Sequence, residues 1–148
     1  MEELVTAASD GRPGRVLVVD DVAVVRKSIS LTLTSAGYEV VAAEDGEQAI
    51  ELLRESADRL TVDAILCDLR MPKINGAETI AYFRRQYPTI PVVALTAYPD
   101  VELAVSLMRQ GVLDFLVKPV LQDELLTVVQ RAVDQNAMRK DPVEADYC

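Results

Sequence analysis

Val62-Asp63-Ala64-Ile65-Leu66-Cys67-Asp68 is an almost wholly apolar run that ends on an acid, and the pattern recurs elsewhere in this chain. Val16-Leu17-Val18-Val19 runs into Asp20-Asp21, and Phe115-Leu116-Val117 runs into Lys118. Short runs without polar alternation predict strands buried on both faces, the mark of a parallel sheet covered by helices. In an open sheet of that kind the carboxyl ends of the strands share one rim, so these charges converge although they lie far apart in sequence.

Helical signals fill the spaces between the runs. Val25, Ile29 and Leu33 recur at helical spacing over about residues 23–36, with Gly37 as a stop, and residues 39–43 read as a second strand. Asp45 and Gln48 stand at the spacing of a capping pair, which predicts a helix over about 46–57 with Ala49, Ile50, Leu53 and Ala57 on its buried face. A third strand over 62–67 leads to a helix capped by Asn75 and ending at Tyr87, before Pro88. Pro91 opens a fourth strand over 92–95, and Asp100 caps a helix that reaches Gln110 and stops at Gly111. A fifth strand over 112–117 precedes a last helix that begins near Leu121, buries Leu125, Val128 or Val129, and Ala132, and ends before Asp141-Pro142.

Five strands alternating with five helices, joined by short right-handed connections, predict a doubly wound (βα)5 three-layer sandwich. The expected strand order is 2-1-3-4-5, the flavodoxin-like arrangement. The expected organisation is a disordered leader over 1–14, one folded domain over 15–136, and a tail or the start of a linker over 137–148.

Composition agrees with a single small core and narrows the function. At 148 residues the chain can bury roughly two thirds of its unfolded surface without disulfide or structural metal. Aromatic residues make up only 5% and Trp is absent, so the core must come from Val, Leu, Ile and Ala. Fifteen Lys and Arg against 24 Asp and Glu leave a net charge of −9, which repels nucleic acid and anionic lipid. No apolar stretch approaches the roughly 18 residues of a membrane span, and the first residues do not form a signal peptide, so a cytoplasmic location is expected. Two cysteines without metal spacing and the complete absence of His exclude a zinc site and an internal phosphohistidine. Cys67 reads as a buried strand thiol.

With strands one and three as neighbours about 4.8 Å apart, Asp20, Asp21 and Asp68 come within interacting distance. Two like charges at 4 Å repel by roughly 4 kcal/mol at an effective dielectric near 20, so the acids need counter-charge. Lys118 and a divalent cation can supply it. Carboxylate oxygen without His or thiolate selects a hard ion, and Mg²⁺ takes few protein ligands together with phosphate oxygen. The rim therefore reads as a site for a cation and a phosphate.

Four motifs at the strand ends then carry a resemblance. Asp20-Asp21, the stretch Asp68-Leu69-Arg70-Met71-Pro72-Lys73-Ile74-Asn75-Gly76, Thr96-Ala97 and Lys118-Pro119 are similar, over about residues 15–136, to the response-regulator receiver domains of two-component signalling. The resemblance implies that Asp68 is the phosphoacceptor and that Asp21, Asp68 and the backbone carbonyl of Arg70 ligate Mg²⁺. Asp20 acts directly or through a metal-bound water. It further implies that Thr96, Ala97 and Lys118 bind the phosphoryl group and that Thr96 couples to Phe115 as the switch. Arg70 and Tyr98 border the site and tune the lifetime of the phosphoryl group, and Pro119 follows a cis peptide that aims Lys118 inward. The implied partners are a sensor histidine kinase or phosphotransfer protein, and a second copy of the chain after phosphorylation. The implied output surface is formed by the fourth helix, fifth strand and fifth helix. There Asp100, Glu102, Arg109, Asp114, Gln122, Asp123 and Arg131 are candidates for intersubunit pairs. The expected role is a phosphorylation-dependent switch that assists its own phosphorylation and is not otherwise an enzyme.

Plainer readings stand beside these. Asp21 alone reads equally as a helix cap, Thr96 as a turn hydroxyl and Lys118 as a solvated loop lysine. Met71, Ile74 and Val101 read as core or rim packing. A phosphatase with an Asp nucleophile wants a second acid two residues on, where Arg70 stands and cannot donate a proton. A flavodoxin-like FMN domain wants an amide-rich first loop, where Asp20-Asp21 would repel phosphate. An interaction module that no longer accepts phosphate should lack the acceptor or the metal acids, and all are present.

Overall fold

The computed structural model describes residues 14–55, 62–70 and 76–140. The expected leader up to residue 13, the far end of the second helix with Ala57, the Asn75 cap, Met71, Ile74 and the residues after Lys140 lie outside that range, whereas Gly14, expected to close the disordered leader, is buried and accepts from Glu39 N–H at 2.9 Å. Ten elements alternate along the chain. They are β1 (Arg15–Val19), α1 (Ala23–Ser35), β2 (Glu39–Ala43), α2 (Gly46–Glu55), β3 (Ala64–Asp68), α3 (Gly76–Gln86), β4 (Val92–Thr96), α4 (Val101–Gln110), β5 (Asp114–Val117) and α5 (Gln122–Lys140). All strand pairs are parallel, in the order β2-β1-β3-β4-β5. The predicted doubly wound sandwich is the fold.

Side-chain alternation along the strands divides the core in two. Val16, Val18, Leu66 and Leu95 face α1 and α5, meeting Ile29, Leu33, Leu125, Val129 and Ala132. Leu17, Val19, Ile65, Cys67 and Ala94 face the other way, onto Leu53 of α2, Ile80 and Phe83 of α3 and Leu107 of α4. Both faces of the central strands are dry, so β1 after Arg15, and β3 and β4 up to the rim, are apolar at every position.

The strand bounds differ from expectation in instructive ways. The third strand begins at Ala64 and includes Asp68, which pairs with Leu95, whereas the sequence predicted 62–67. Asp63 stands just before the strand: its N–H donates to Arg15 O at 2.8 Å, but the Arg15 N–H goes to its carboxylate, at 2.9 Å from Oδ2, and Asn136 of α5 donates to Oδ1 at 3.0 Å. The fifth strand begins at Asp114 rather than 112, because Val112 N–H still bonds back to Leu107 O to finish α4. Gly111 makes that stop possible, holding the left-handed φ of 91° that favours glycine.

Candidate functional site

The site is built where β1, β3, β4 and β5 end. Asp20 follows β1 and is wholly buried, Asp21 is exposed, and Asp68 closes β3 with 3% of its surface accessible. One carboxylate oxygen from each of these three acids lies within 4.8 Å of the others. Lys118, one residue past β5, reaches back to bridge two of them, with Nζ 2.8 Å from Asp20 Oδ2 and 3.2 Å from Asp68 Oδ1. The Lys118–Pro119 peptide is cis. Residues separated by up to 98 positions, from Asp20 to Lys118, thus form one cluster.

Two of the plainer readings fail on this geometry. The residue at the start of α1 is Val22, which makes no side-chain cap, so Asp21 does not cap the helix. Lys118 is an ion-pair partner of buried acids and not a solvated loop lysine. The third reading holds in part: Thr96 Oγ1 does accept a turn hydrogen bond, from Tyr98 N–H at 3.1 Å. A hydroxyl that accepts in this way keeps its own proton free to donate toward the site.

Charge and burial set the acidities. Burial and the neighbouring Asp20 charge push the Asp68 carboxyl above the usual carboxylate range, against the lowering effect of Lys118 and of the Arg70 amide. For Lys118, burial disfavours the charged ammonium, but contact with Asp20 and then with Asp68 outweighs it and raises the pKa above the ordinary lysine value. The Cys67 thiol is driven far up, first by burial and then by Asp68 and Asp20, and remains protonated inside β3.

The donor set suits a hard divalent cation. It is all carboxylate oxygen, and Asp20 Oδ2 is buried with the Lys118 ammonium beside it but accepts no well-aligned hydrogen bond. Asp20 Oδ1 is occupied by Val22 N–H at 2.9 Å, so Oδ2 is the atom left to serve the cluster. Asp68 Oδ1 also receives a long bond from Arg70 N–H, at 3.4 Å.

Around this centre the other predicted residues take distinct places. Thr96 ends β4 and is buried, while Ala97 and Tyr98 are exposed beyond it. The Arg70 guanidinium lies 4.5 Å from the centre of the Tyr98 ring, so the two residues meet face to face across the rim. Phe115 pairs with Ala94 in the β4–β5 register, two residues before Thr96, so Phe115 and Thr96 belong to the same sheet face.

On the expected output surface, Asp114 and Arg131 pair with each other within the chain at 3.3 Å, and Asp100 caps α4. Val101, read from sequence as packing, is instead 80% exposed at the start of α4, because that helix turns Leu107 inward and leaves Val101, Val105 and Met108 toward solvent.

Two residues of the site escaped the sequence reading. Arg26 donates from Nη1 to the backbone carbonyl of Asp20 at 2.7 Å. Gly76 packs its α-carbon so closely on the peptide that carries Asp68 that an added Cβ would stand 2.2 Å from Asp68 O. In the sequence Asn75 reads as a helix cap and Gly76 only as part of the stretch that carries the resemblance. Neither contact leaves a mark in spacing or composition.

A doubly wound parallel sheet that gathers three acids and a lysine at its carboxyl rim defines an α/β domain with an acidic pocket at its strand ends. The chain belongs to the response regulator receiver domain family, whose model matches residues 16–130. Among characterised relatives, it is 38% identical over 130 residues to the transcriptional regulatory protein GlrR of Escherichia coli K12, covering 88% of this chain and 28% of that one. It is 35% identical over 127 residues to the regulatory protein AtoC of the same organism, covering 86% and 27%. The chain therefore spans roughly a quarter of the length of these relatives. The chemotaxis protein CheY4 of Vibrio cholerae matches in structure with a TM-score of 0.74 at 34% identity, covering 81% of this chain and 98% of that one. NtrX of Brucella abortus matches at 0.78 and 26% identity, covering 86% and 29%. No helix among the described residues is long and apolar enough to cross a membrane.

Proposed function

We propose that this receiver domain is a phosphorylation-dependent switch in which Asp68 accepts a phosphoryl group from a phosphohistidine on a sensor kinase or phosphotransfer protein. The carboxylate oxygen attacks phosphorus, the bond from phosphorus to the donor nitrogen breaks, and an acyl phosphate forms. The observation that carries this reading is the Lys118 ammonium held between Asp20 and Asp68. It neutralises the nucleophile's surroundings before transfer and afterwards faces the new phosphoryl oxygens.

Asp20, Asp21, Asp68 and the Arg70 carbonyl would hold Mg²⁺, which when bound supplies positive charge to the transferring phosphoryl oxygens. Thr96 donates its free hydroxyl proton to one of those oxygens, and small, exposed Ala97 leaves room for them. Phe115, on the same sheet face as Thr96, follows that movement by repacking. The surface of α4, β5 and α5, where Val101, Val105 and Met108 are exposed, then binds an output partner or a second copy. Arg70 stacked on Tyr98 closes the rim and limits the approach of water to the acyl phosphate.

Incubation with acetyl phosphate and Mg²⁺, read by intact mass, tests the reading. One phosphoryl group is expected on the wild-type chain and none on Asp68→Asn. Equal labelling of both, or no labelling of wild type, overturns it. The same sample followed in time should lose its label several-fold faster in Tyr98→Ala; unchanged decay would leave the stack without a role in lifetime.

A further inference from the structure

We propose that Arg26 is a positioning residue for the acidic site, holding Asp20 through its backbone so that the carboxylate keeps the pose a divalent cation requires. The inference rests on the reading of Asp20 as part of a cation site. Asp20 is wholly buried, and each of its polar atoms is held from a different direction. Its N–H donates to Ala43 O next to it on β2 at 3.2 Å, Oδ1 accepts from Val22 N–H at 2.9 Å, Oδ2 faces Lys118 at 2.8 Å, and the carbonyl accepts from Arg26 Nη1 at 2.7 Å.

Arg26 fastens the turn that carries the acids. The connection from β1 to α1 is only three residues, and α1 starts at it without a side-chain cap and without an acid in its first turn. Arg26 reaches back over this turn with its side chain: its amide makes only the first ordinary helical bond, to Val22 O at 2.9 Å, while its guanidinium donates to Asp20 O. A cation in the first turn of a helix opposes the helix dipole, so its place there is unfavourable by helix rules alone. A charge-assisted bond to the carbonyl of the buried Asp20 offsets that cost.

The two roles open to Arg26 predict opposite signs. As a mere positive charge beside three acids, it repels an incoming cation, and its removal tightens cation binding. As the residue that holds Asp20 in place, its removal loosens binding, as loss of an outer-shell partner does, by about 10-fold. Mg²⁺ titration of the 148-residue chain, followed by backbone amide NMR shifts, distinguishes them. Arg26→Met should raise the Mg²⁺ Kd about 10-fold and speed hydrogen exchange of the Val22 amide, with Arg26→Lys in between. An unchanged or lower Kd in folded Arg26→Met overturns the proposal; if that variant does not fold, an unchanged Kd in Arg26→Lys does so. Asp21→Asn serves as the control. Should the wild type bind no Mg²⁺, the cation reading and this inference fall together. If wild type binds and Asp21→Asn does not, an unaffected Arg26→Met removes the role of Arg26 alone.

Discussion

As the proposed phosphoacceptor, Asp68 would have to be ionised to attack phosphorus, yet its surroundings raise its pKa. Burial and Asp20 raise its pKa, and Lys118 restores only part of the balance. In the metal-free protein the folded state then binds more protons than the unfolded state between the ordinary Asp value and the raised one. Stability from this group is full below the unfolded pKa and is lost as pH rises through the folded pKa. Urea unfolding followed upward in pH from the ordinary Asp range of about 3.5 should show that downward slope in wild type and a flatter profile in Asp68→Asn; identical profiles would contradict the raised pKa. The same strain explains why Lys118 is held so far inside: without it two buried carboxylates would face each other unscreened.

Two of the helices, α2 and α4, are set by local chemistry at their starts. In α2, Gln48 N–H donates to Asp45 Oδ1 at 2.8 Å, and the Gln48 side chain accepts from Glu44 N–H at 2.7 Å, so the reciprocal arm of the capping pair reaches one residue further back than in the usual motif. In α4, Asp100 Oδ1 accepts from Leu103 N–H at 2.7 Å and Gly111 closes the far end. Because α4 otherwise buries only Leu107 and leaves an apolar stripe outward, its caps carry an unusual share of its stability. Asp100→Ala should therefore cost about 1 kcal/mol in urea unfolding, with the amides of α4 exchanging faster than those of α1 or α5. Uniform exchange across the helices would argue against a separately fragile α4.

Taken as one body, the protein couples its stability to the occupancy of its acidic rim. The three acids come from two strand ends that adjoin only in the folded sheet, so a cation that binds them binds the native state alone. Mg²⁺ at 100 times its Kd should then stabilise the fold by about 2.7 kcal/mol, seen as a Tm several degrees higher and reversed by chelator. In Asp21→Asn the Tm should cease to depend on Mg²⁺. An equal rise in that variant would mean that the ion acts elsewhere on this acidic surface.

The layered sheet, its strand order and the membership of the rim were legible in the chain because they follow from periodicity: uninterrupted apolar runs demand cover on both faces, and their charged ends share one edge. Asp20, Asp21, Asp68 and Lys118 could be singled out on that ground alone, whereas Thr96 comes from the resemblance to receiver domains. What periodicity does not carry is which atom meets which. Asp63 and Asp68 carry the same side chain at the two ends of one apolar run, yet one serves Arg15 and Asn136 just before β3 and the other, at its end, faces Lys118. The guanidinium of Arg26 on a carbonyl, the glycine contact at Gly76 and the stack of Arg70 on Tyr98 depend on distances of a few ångströms between separately folded loops. Such contacts are decided by packing, after the local pattern has already chosen the fold.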